Sequence, residues 1–369
     1  MKLVTFALIG LVSLTSIAAA NVRQEAPAVD VVFCIDCSGS MGGVIETAKQ
    51  KVWAIVNEIA KARPTPVLKI GLIGYGNAGG PFRTFALSDD LDEVYKNLMT
   101  FKDEGWGDEY VGLAIARATQ DMQWSPGKQT LRVIYVVGNE TARQGPPEFD
   151  YTKTAPAAVA KEIVVNAIYC GDQYAESKPT WRELAQLADG QYMEIAGQGG
   201  AIVMASPFDD ELAKLNTALN ATYLAFGTRA GYGAQNQAAQ DSNAAGLGAA
   251  VIADRAVAKS GAGYQNAGWD LVDASKQEDF DVSKLKDEEL PEALRKIEPA
   301  KRAEFIKETA AKRAEVQKQI TDVAAKRNGF LQEEIKKQGL TSDKSFDEAV
   351  KKSLVEQAKR KGFEFEEQR

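Results

Sequence analysis

Asp36-Cys37-Ser38-Gly39-Ser40 sets one carboxylate and two hydroxyls at alternate positions, directly after the apolar run VDVVFCI and ahead of a Gly-flanked turn. All three side chains offer hard oxygens. Turned inward, they make half a coordination shell for Mg²⁺, Mn²⁺ or Ca²⁺ and leave positions for water and an outside ligand. The competing reading is that Ser38 and Ser40 only cap the helix that follows and satisfy its turn. Gly39 and Met41 lie on the same turn and are candidate partner contacts, as is Trp106, which neighbours Asp108 in a Gly-flanked loop.

Two other patterns carry less. Cys34 and Cys37 spell C-x-x-C, but no second such pair and no His pair completes a zinc site. Cys37 and Cys170 are candidates for a disulfide, against the alternative that the cysteines are small buried side chains. Gly74-Tyr75-Gly76-Asn77-Ala78-Gly79 spells G-x-G-x-x-G, yet Pro81 and the strand-like FRTFAL follow where a dinucleotide site needs a helix N-terminus. It reads instead as a turn at the rim of the candidate site.

Positioning Asp36 requires a strand that ends where a helix begins, and the sequence supplies that rhythm repeatedly. VDVVFCID, LKIGLIGYG, FRTFAL, LRVIYVVG, VVNAIYCG and QYMEIA read as six strands. The third is expected to run antiparallel at an edge. Amphipathic helices alternate with them, as in residues 44–62, where Ile45, Ala48, Val52, Ile55, Val56 and Ile59 share a face. Ser88 is the expected cap of the helix over residues 89–101. The fold class is therefore α/β, a doubly wound, mostly parallel six-stranded sheet, and ligands of such sheets sit at the carboxyl ends of the strands.

A last helix over residues 209–226 is expected to close this domain, which spans residues 29–226. Residues 227–250, rich in Gly, Ala, Asn and Gln, read as a linker or loose helical connection. Residues 251–369 form a mainly α-helical C-terminal region. There Val316, Ile320, Val323, Phe330, Leu331 and Ile335 make a narrow stripe suited to a helix of residues 345–363 or of a partner chain.

Residues 1–20 have the charge, apolar run and small-residue ending of a cleavable export signal, which implies a secreted or periplasmic protein. No later stretch is long enough to cross a bilayer. Net charge is −7, from 44 Lys plus Arg and 51 Asp plus Glu, which argues against nucleic acid as a partner. The chain has no histidine, so the commonest general base and catalytic zinc ligand are missing.

VVFCIDCSGSMGG with its helix, then KIGLIGYG, then RVIYVVG, resembles the von Willebrand factor type A family over about residues 29–205, where D-x-S-x-S is the first loop of the metal ion-dependent adhesion site. VGNE, NAIYCG, the Trp181 and LADG stretch and SPFDDELAKLN are similar to a group of exported bacterial proteins with this domain. The resemblance implies strand order 3-2-1-4-5-6, a cation at the top of the sheet, and an acidic group of a partner completing its coordination. It also shows departures. Where the family's second loop supplies Thr, this chain offers Asp108 and Glu109; where the third supplies Asp, it has Asn139 followed by Glu140. Thr to Glu is expected to make the site more negative.

The function this implies is a binding or adhesion module that captures a protein or cell-surface ligand at a divalent-cation site. The alternative is a structural or assembly protein of the cell envelope, which acts or self-associates through its C-terminal helices and keeps the metal site for structure only. An enzyme is not expected, because no nucleophile with an adjacent base can be read from the chain.

Overall fold

In the computed structural model, which describes residues 26–76 and 82–365, strands β1 (Ala28–Asp36), β2 (Val67–Tyr75), β3 (Arg83–Ser88), β4 (Thr130–Gly138), β5 (Val164–Cys170) and β6 (Tyr192–Ile195) form one sheet in the order β3-β2-β1-β4-β5-β6. Only β3 runs antiparallel. The export-signal segment and residues 77–79 of the G-x-G-x-x-G pattern lie outside the described residues. β1 is buried along its whole length and is apolar up to Asp36 except at Asp30, whose carboxylate accepts from the Ser125 amide and hydroxyl. Val29, Val31, Phe33 and Ile35 point to one face, Val32 and Cys34 to the other.

The first face is covered by α1 (Gly42–Ile59) and α2 (Leu91–Met99), the second by α3 (Val111–Asp121), α4 (Tyr151–Val159) and α5 (Lys178–Leu187). Asp90, not Ser88, caps α2: its carboxylate accepts from the Glu93 amide at 3.1 Å, while Ser88 Oγ accepts from the Asp90 amide. Beyond β6 follow α6 (Asp209–Asn220), α7 (Ala230–Leu247), α8 (Ala249–Ser260), the single turns α9 (Leu271–Ala274) and α10 (Glu292–Arg295), the long α11 (Pro299–Lys337), and α12 (Phe346–Arg360). No helix among the described residues is long and apolar enough to cross a membrane.

The helix that completes the first face is α12, and this corrects the expectation that residues 209–226 would. Phe346, Val350, Leu354 and Ala358 recur every four residues and, with Phe363, enter the sheet core. Phe346 lies 6.0 Å from the Phe33 ring, the Tyr135 hydroxyl meets Ser353 Oγ at 2.9 Å, and Asn166 donates to Gln357 at 3.0 Å. α6 packs within the insert instead. Its Leu212 and Leu219 pack with Ala253 and Ala256 of α8 and Ile320 and Val323 of α11. Helices α6 to α11 are thus inserted between β6 and the helix that closes its face.

Residues 227–250 hold a packed helix, α7. A Cβ at Gly233 would collide with the Trp269 ring, and Gln237, Gln240 and Ala244 are buried, so small side chains serve close packing there. The stripe of α11 meets α6 and α8, not the segment 345–363, which is engaged on the sheet. That stripe looked narrow because half its rungs are polar. Ile306, Arg313, Ile320 and Arg327, seven residues apart, are all buried. Arg313 reaches Asp270 at 2.7 Å and stacks 4.1 Å from the Tyr223 ring; Arg327 reaches Asp209 at 2.6 Å and Asp254 at 2.7 Å.

Where insert and sheet meet, Arg255 is fully buried between Asp92 of α2 (2.7 Å) and Asp241 of α7 (2.5 Å), over the Trp53 ring of α1. Lys259 adds a 3.0 Å pair with Asp241. Burial alone would raise the Asp241 carboxyl, but Arg255 and Lys259 hold it down at about 2, below its ordinary 3.8. A carboxyl depressed by folding contributes stability above its unfolded pKa and loses it as pH falls through the native one. Asp241→Asn is therefore expected to cost about 2 kcal/mol near neutrality, with the deficit shrinking between about pH 4 and pH 2. Urea unfolding of both proteins at stepped pH reads this, and a deficit that does not change with pH would contradict it.

Candidate metal centre

Asp36 is the last residue of β1, and its carboxylate closes the turn that follows. Oδ1 accepts from the Ser38 amide at 2.7 Å and Oδ2 from the Ser38 hydroxyl at 3.0 Å. Ser38 Oγ is 3.2 Å from Ser40 Oγ, so all three D-x-S-x-S oxygens converge. Neighbouring backbone comes close to hold them: the Cys37 amide donates to Tyr75 O at 2.7 Å and the Gly105 amide to Cys37 O at 2.8 Å. Gly76 must be glycine, since its φ is +91° and a Cβ there would strike Asp36 Oδ1.

The second and third loops bring Glu109 and Asn139 to this turn. Glu109 precedes α3, and its carboxyl lies beside Asp36 and Ser38. Asn139 follows β4 and donates from Nδ2 to Ser40 Oγ at 2.8 Å. Asp36 and Glu109 are essentially inaccessible to solvent, and Asn139 and Ser38 are also buried, whereas Ser40 is exposed.

Two carboxyls pressed together in a buried site cannot both ionise cheaply. Burial raises both above the usual carboxylate range, and the adjacent Asp36 pushes Glu109 further up. Glu109 Oε2 and Asn139 Oδ1 are buried with no hydrogen-bond partner among the described residues. Each such orphan costs about 1–3 kcal/mol. Two unsatisfied oxygens beside a carboxylate and two hydroxyls fit a hard divalent cation, which would satisfy both orphans and relieve the carboxyl repulsion. Among the described residues no group of three or more His, Cys, Asp and Glu side chains is arranged to hold a metal ion. The other oxygens at this turn are those of Ser38, Ser40 and Asn139.

The other expected residues divide. Asp108 is exposed, on the far side of the chain reversal that buries Glu109. Glu140 is half-buried and accepts from Gln144 Nε2 at 2.8 Å, while Gln144 Oε1 accepts from the Glu109 amide. Gln144 thus braces both acidic loops, and no motif in the sequence marked it. Asn139 is neutral and Glu109 acidic, and the field of Glu140 reaches both Asp36 and Glu109. Gly39 is open, and Trp106 is 71 % exposed. Met41 is completely buried and cannot touch a partner. Cys37 and Cys170 are free thiols. β4 lies between β1, which Cys37 follows, and β5, which Cys170 ends, so about 9–10 Å separates them, beyond a disulfide's reach.

Residues 31–141 match the family model of the von Willebrand factor type A domain, a stretch that includes Asp36, Ser38, Ser40, Glu109 and Asn139. Among solved structures, BatB from Bacteroides thetaiotaomicron is 20 % identical, with 46 % of this chain and 91 % of that one aligned at a TM-score of 0.36. Proximal thread matrix protein 1 of the mussel byssus is 13 % identical over 47 % of this chain and 44 % of its own, TM-score 0.36. The pilus adhesin SpaC of Lactobacillus rhamnosus GG is 16 % identical over 46 % and 28 %, TM-score 0.36. No curated protein matches the sequence.

Proposed function

From a chain that carries a von Willebrand factor type A domain at residues 31–141, we propose a binding module that captures a protein or cell-surface partner through a divalent cation at the end of β1. Asp36, Ser38, Ser40, Glu109 and Asn139 would hold Mg²⁺, with Mn²⁺ or Ca²⁺ as substitutes. The bound cation supplies an open coordination position for an acidic group of the partner. The observation that carries this reading is the pair of orphaned oxygens, Glu109 Oε2 and Asn139 Oδ1, beside Asp36. Exposed Ser40 marks the side from which a ligand arrives, and Trp106 offers an apolar contact near it. Binding rather than turnover is favoured because the chain has no histidine and the Ser38 hydroxyl is buried and engaged with Asp36 and Ser40. A secreted or periplasmic setting is proposed on the export-type residues 1–20 alone.

Calorimetric titration with Mg²⁺, Mn²⁺ and Ca²⁺ tests the reading. Wild type is expected to bind saturably. Asp36→Ala and the double variant Ser38→Ala, Ser40→Ala should lose binding, and Glu109→Gln should weaken it at least tenfold, about 1.4 kcal/mol. Folded wild type that binds none of the three ions would sink this mechanism and turn attention to the inserted helices as the working surface of an envelope assembly protein.

A further inference from the structure

A cavity of about 360 Å³ runs beside the D-x-S-x-S turn, over the C-terminal ends of β4, β5 and β6. Ser40 and Asn139 line it on the β1 side, Cys170 and Gly171 in the middle, and Gln198 and Lys344 on the β6 side. Its floor is bare backbone. Gly171, at φ +74°, and Gly197 approach so closely that a Cβ on Gly171 would stand 3.0 Å from Gly197 Cα. Gly197 is not in the left-handed region, and a Cβ there would make only an ordinary 3.6 Å contact. Its missing side chain therefore keeps the groove open without being demanded by the backbone.

The polar groups that face the groove are unevenly satisfied. Asp172 and Glu194 are held by Lys178 at 2.6 and 3.0 Å, and Glu194 also by Arg182 at 3.0 Å. Lys344 is exposed, its field reaches Asp172, and it makes no salt bridge among the described residues. Asn139, only 5 % exposed, lines the other end with its Oδ1 unpartnered. The backbone at Lys344 is pinned to the rim by Ala196 N to Lys344 O and Phe346 N to Gly199 O, both 2.9 Å.

We propose that this groove is a subsite for a short, extended acidic peptide segment of the partner. One acidic side chain reaches the cation end, and a second carboxylate meets Lys344. The volume is at the lower end of ligand pockets, which suits a few residues rather than a folded surface. The first of these contacts rests on the cation reading above; the second does not.

The test titrates acetyl-Asp-Gly-Glu-amide, and separately acetyl-Lys-Gly-Lys-amide, into the full chain in Mg²⁺, with Mg²⁺ binding measured on its own for every variant. The acidic peptide alone is expected to bind saturably. Lys344→Glu, a change at an exposed position, should weaken it at least tenfold, and Gly197→Leu, which fills the floor, should abolish it; both should leave Mg²⁺ binding unchanged. Equal peptide affinity in wild type and Lys344→Glu would overturn the assignment, as would absence of saturable binding at millimolar peptide to protein that has bound Mg²⁺. Should Mg²⁺ itself not bind, the proposed function fails, and the same peptide titration without metal then decides the groove separately.

Discussion

A chain cut after Thr341 is expected to lose the native sheet domain altogether, although the cut lies far beyond the last strand. What departs with α12 is one layer of the core: Phe346, Val350, Leu354 and Phe363 are each almost fully buried on the β1 and β4 face. At about 1.5–3 kcal/mol for each large apolar side chain, their removal forfeits roughly 6–12 kcal/mol. Whole domains hold only about 5–15 kcal/mol. It would also strand the Tyr135 hydroxyl and the Asn166 amide, whose partners Ser353 and Gln357 are on α12. The single change Leu354→Ala should cost about 2–5 kcal/mol and leave a folded protein. Urea unfolding followed by circular dichroism measures both. A truncated chain that still unfolds cooperatively at a similar midpoint would show that α6 or another helix can take the vacated face.

Arg255→Ala should be the most damaging single substitution outside the sheet core. Arg255 joins α2 to α7 and α8: Nη1 donates to Asp92 at 2.7 Å, Nε to Asp241 at 2.5 Å and Nη2 to the Gln237 carbonyl at 3.1 Å, with the Trp53 ring 4.8 Å away. Tyr264 completes the cluster with a 2.6 Å hydrogen bond to Asp92. Removing the guanidinium leaves Asp92 buried and uncompensated, and breaking one partner of such a network costs about 3–5 kcal/mol. Because the network ties insert to sheet, the loss should appear as faster proteolysis of the α7–α8 segment as well as a lower urea midpoint. Arg255→Lys should recover only part, since one ammonium cannot reproduce the fork that serves Asp92 and Asp241 together. A variant with unchanged midpoint would mean that the two parts are held by their apolar contacts alone.

The sheet was legible because its information is local. Each strand is a short apolar run ended by a turn, and a D-x-S-x-S at the end of the first run identifies both the strand terminus and its chemistry. The same locality made Glu109 and Asn139 findable, as each lies one loop away at a predictable strand or helix end. Choosing Glu109 over Asp108 was not decidable in sequence, because adjacent acids differ only in which one the chain reversal buries. Gln144 and Lys344 left no signal at all: one braces by side-chain hydrogen bonds across loops, the other reaches the site through a segment hundreds of residues downstream. The closing helix was misplaced for a related reason. α6 is the first helix after β6, while α12 sits beyond the insert, and the apolar pattern of neither helix says which of them covers the sheet. The α11 pattern was half read, because Arg313 and Arg327 look like surface residues until Asp270, Asp209 and Asp254 are seen beside them.

Phe33 in the first strand rests against Phe346 in the last helix. A ribosome adding about 5–20 residues per second needs roughly 15–60 s to go from one to the other. For that interval part of the sheet's apolar face is uncovered, so a sheet translated ahead of the insert is completed only after it. Its biogenesis depends on whatever shields that face in the meantime, and a stop codon just ahead of α12 should destroy the sheet domain as thoroughly as one within β1.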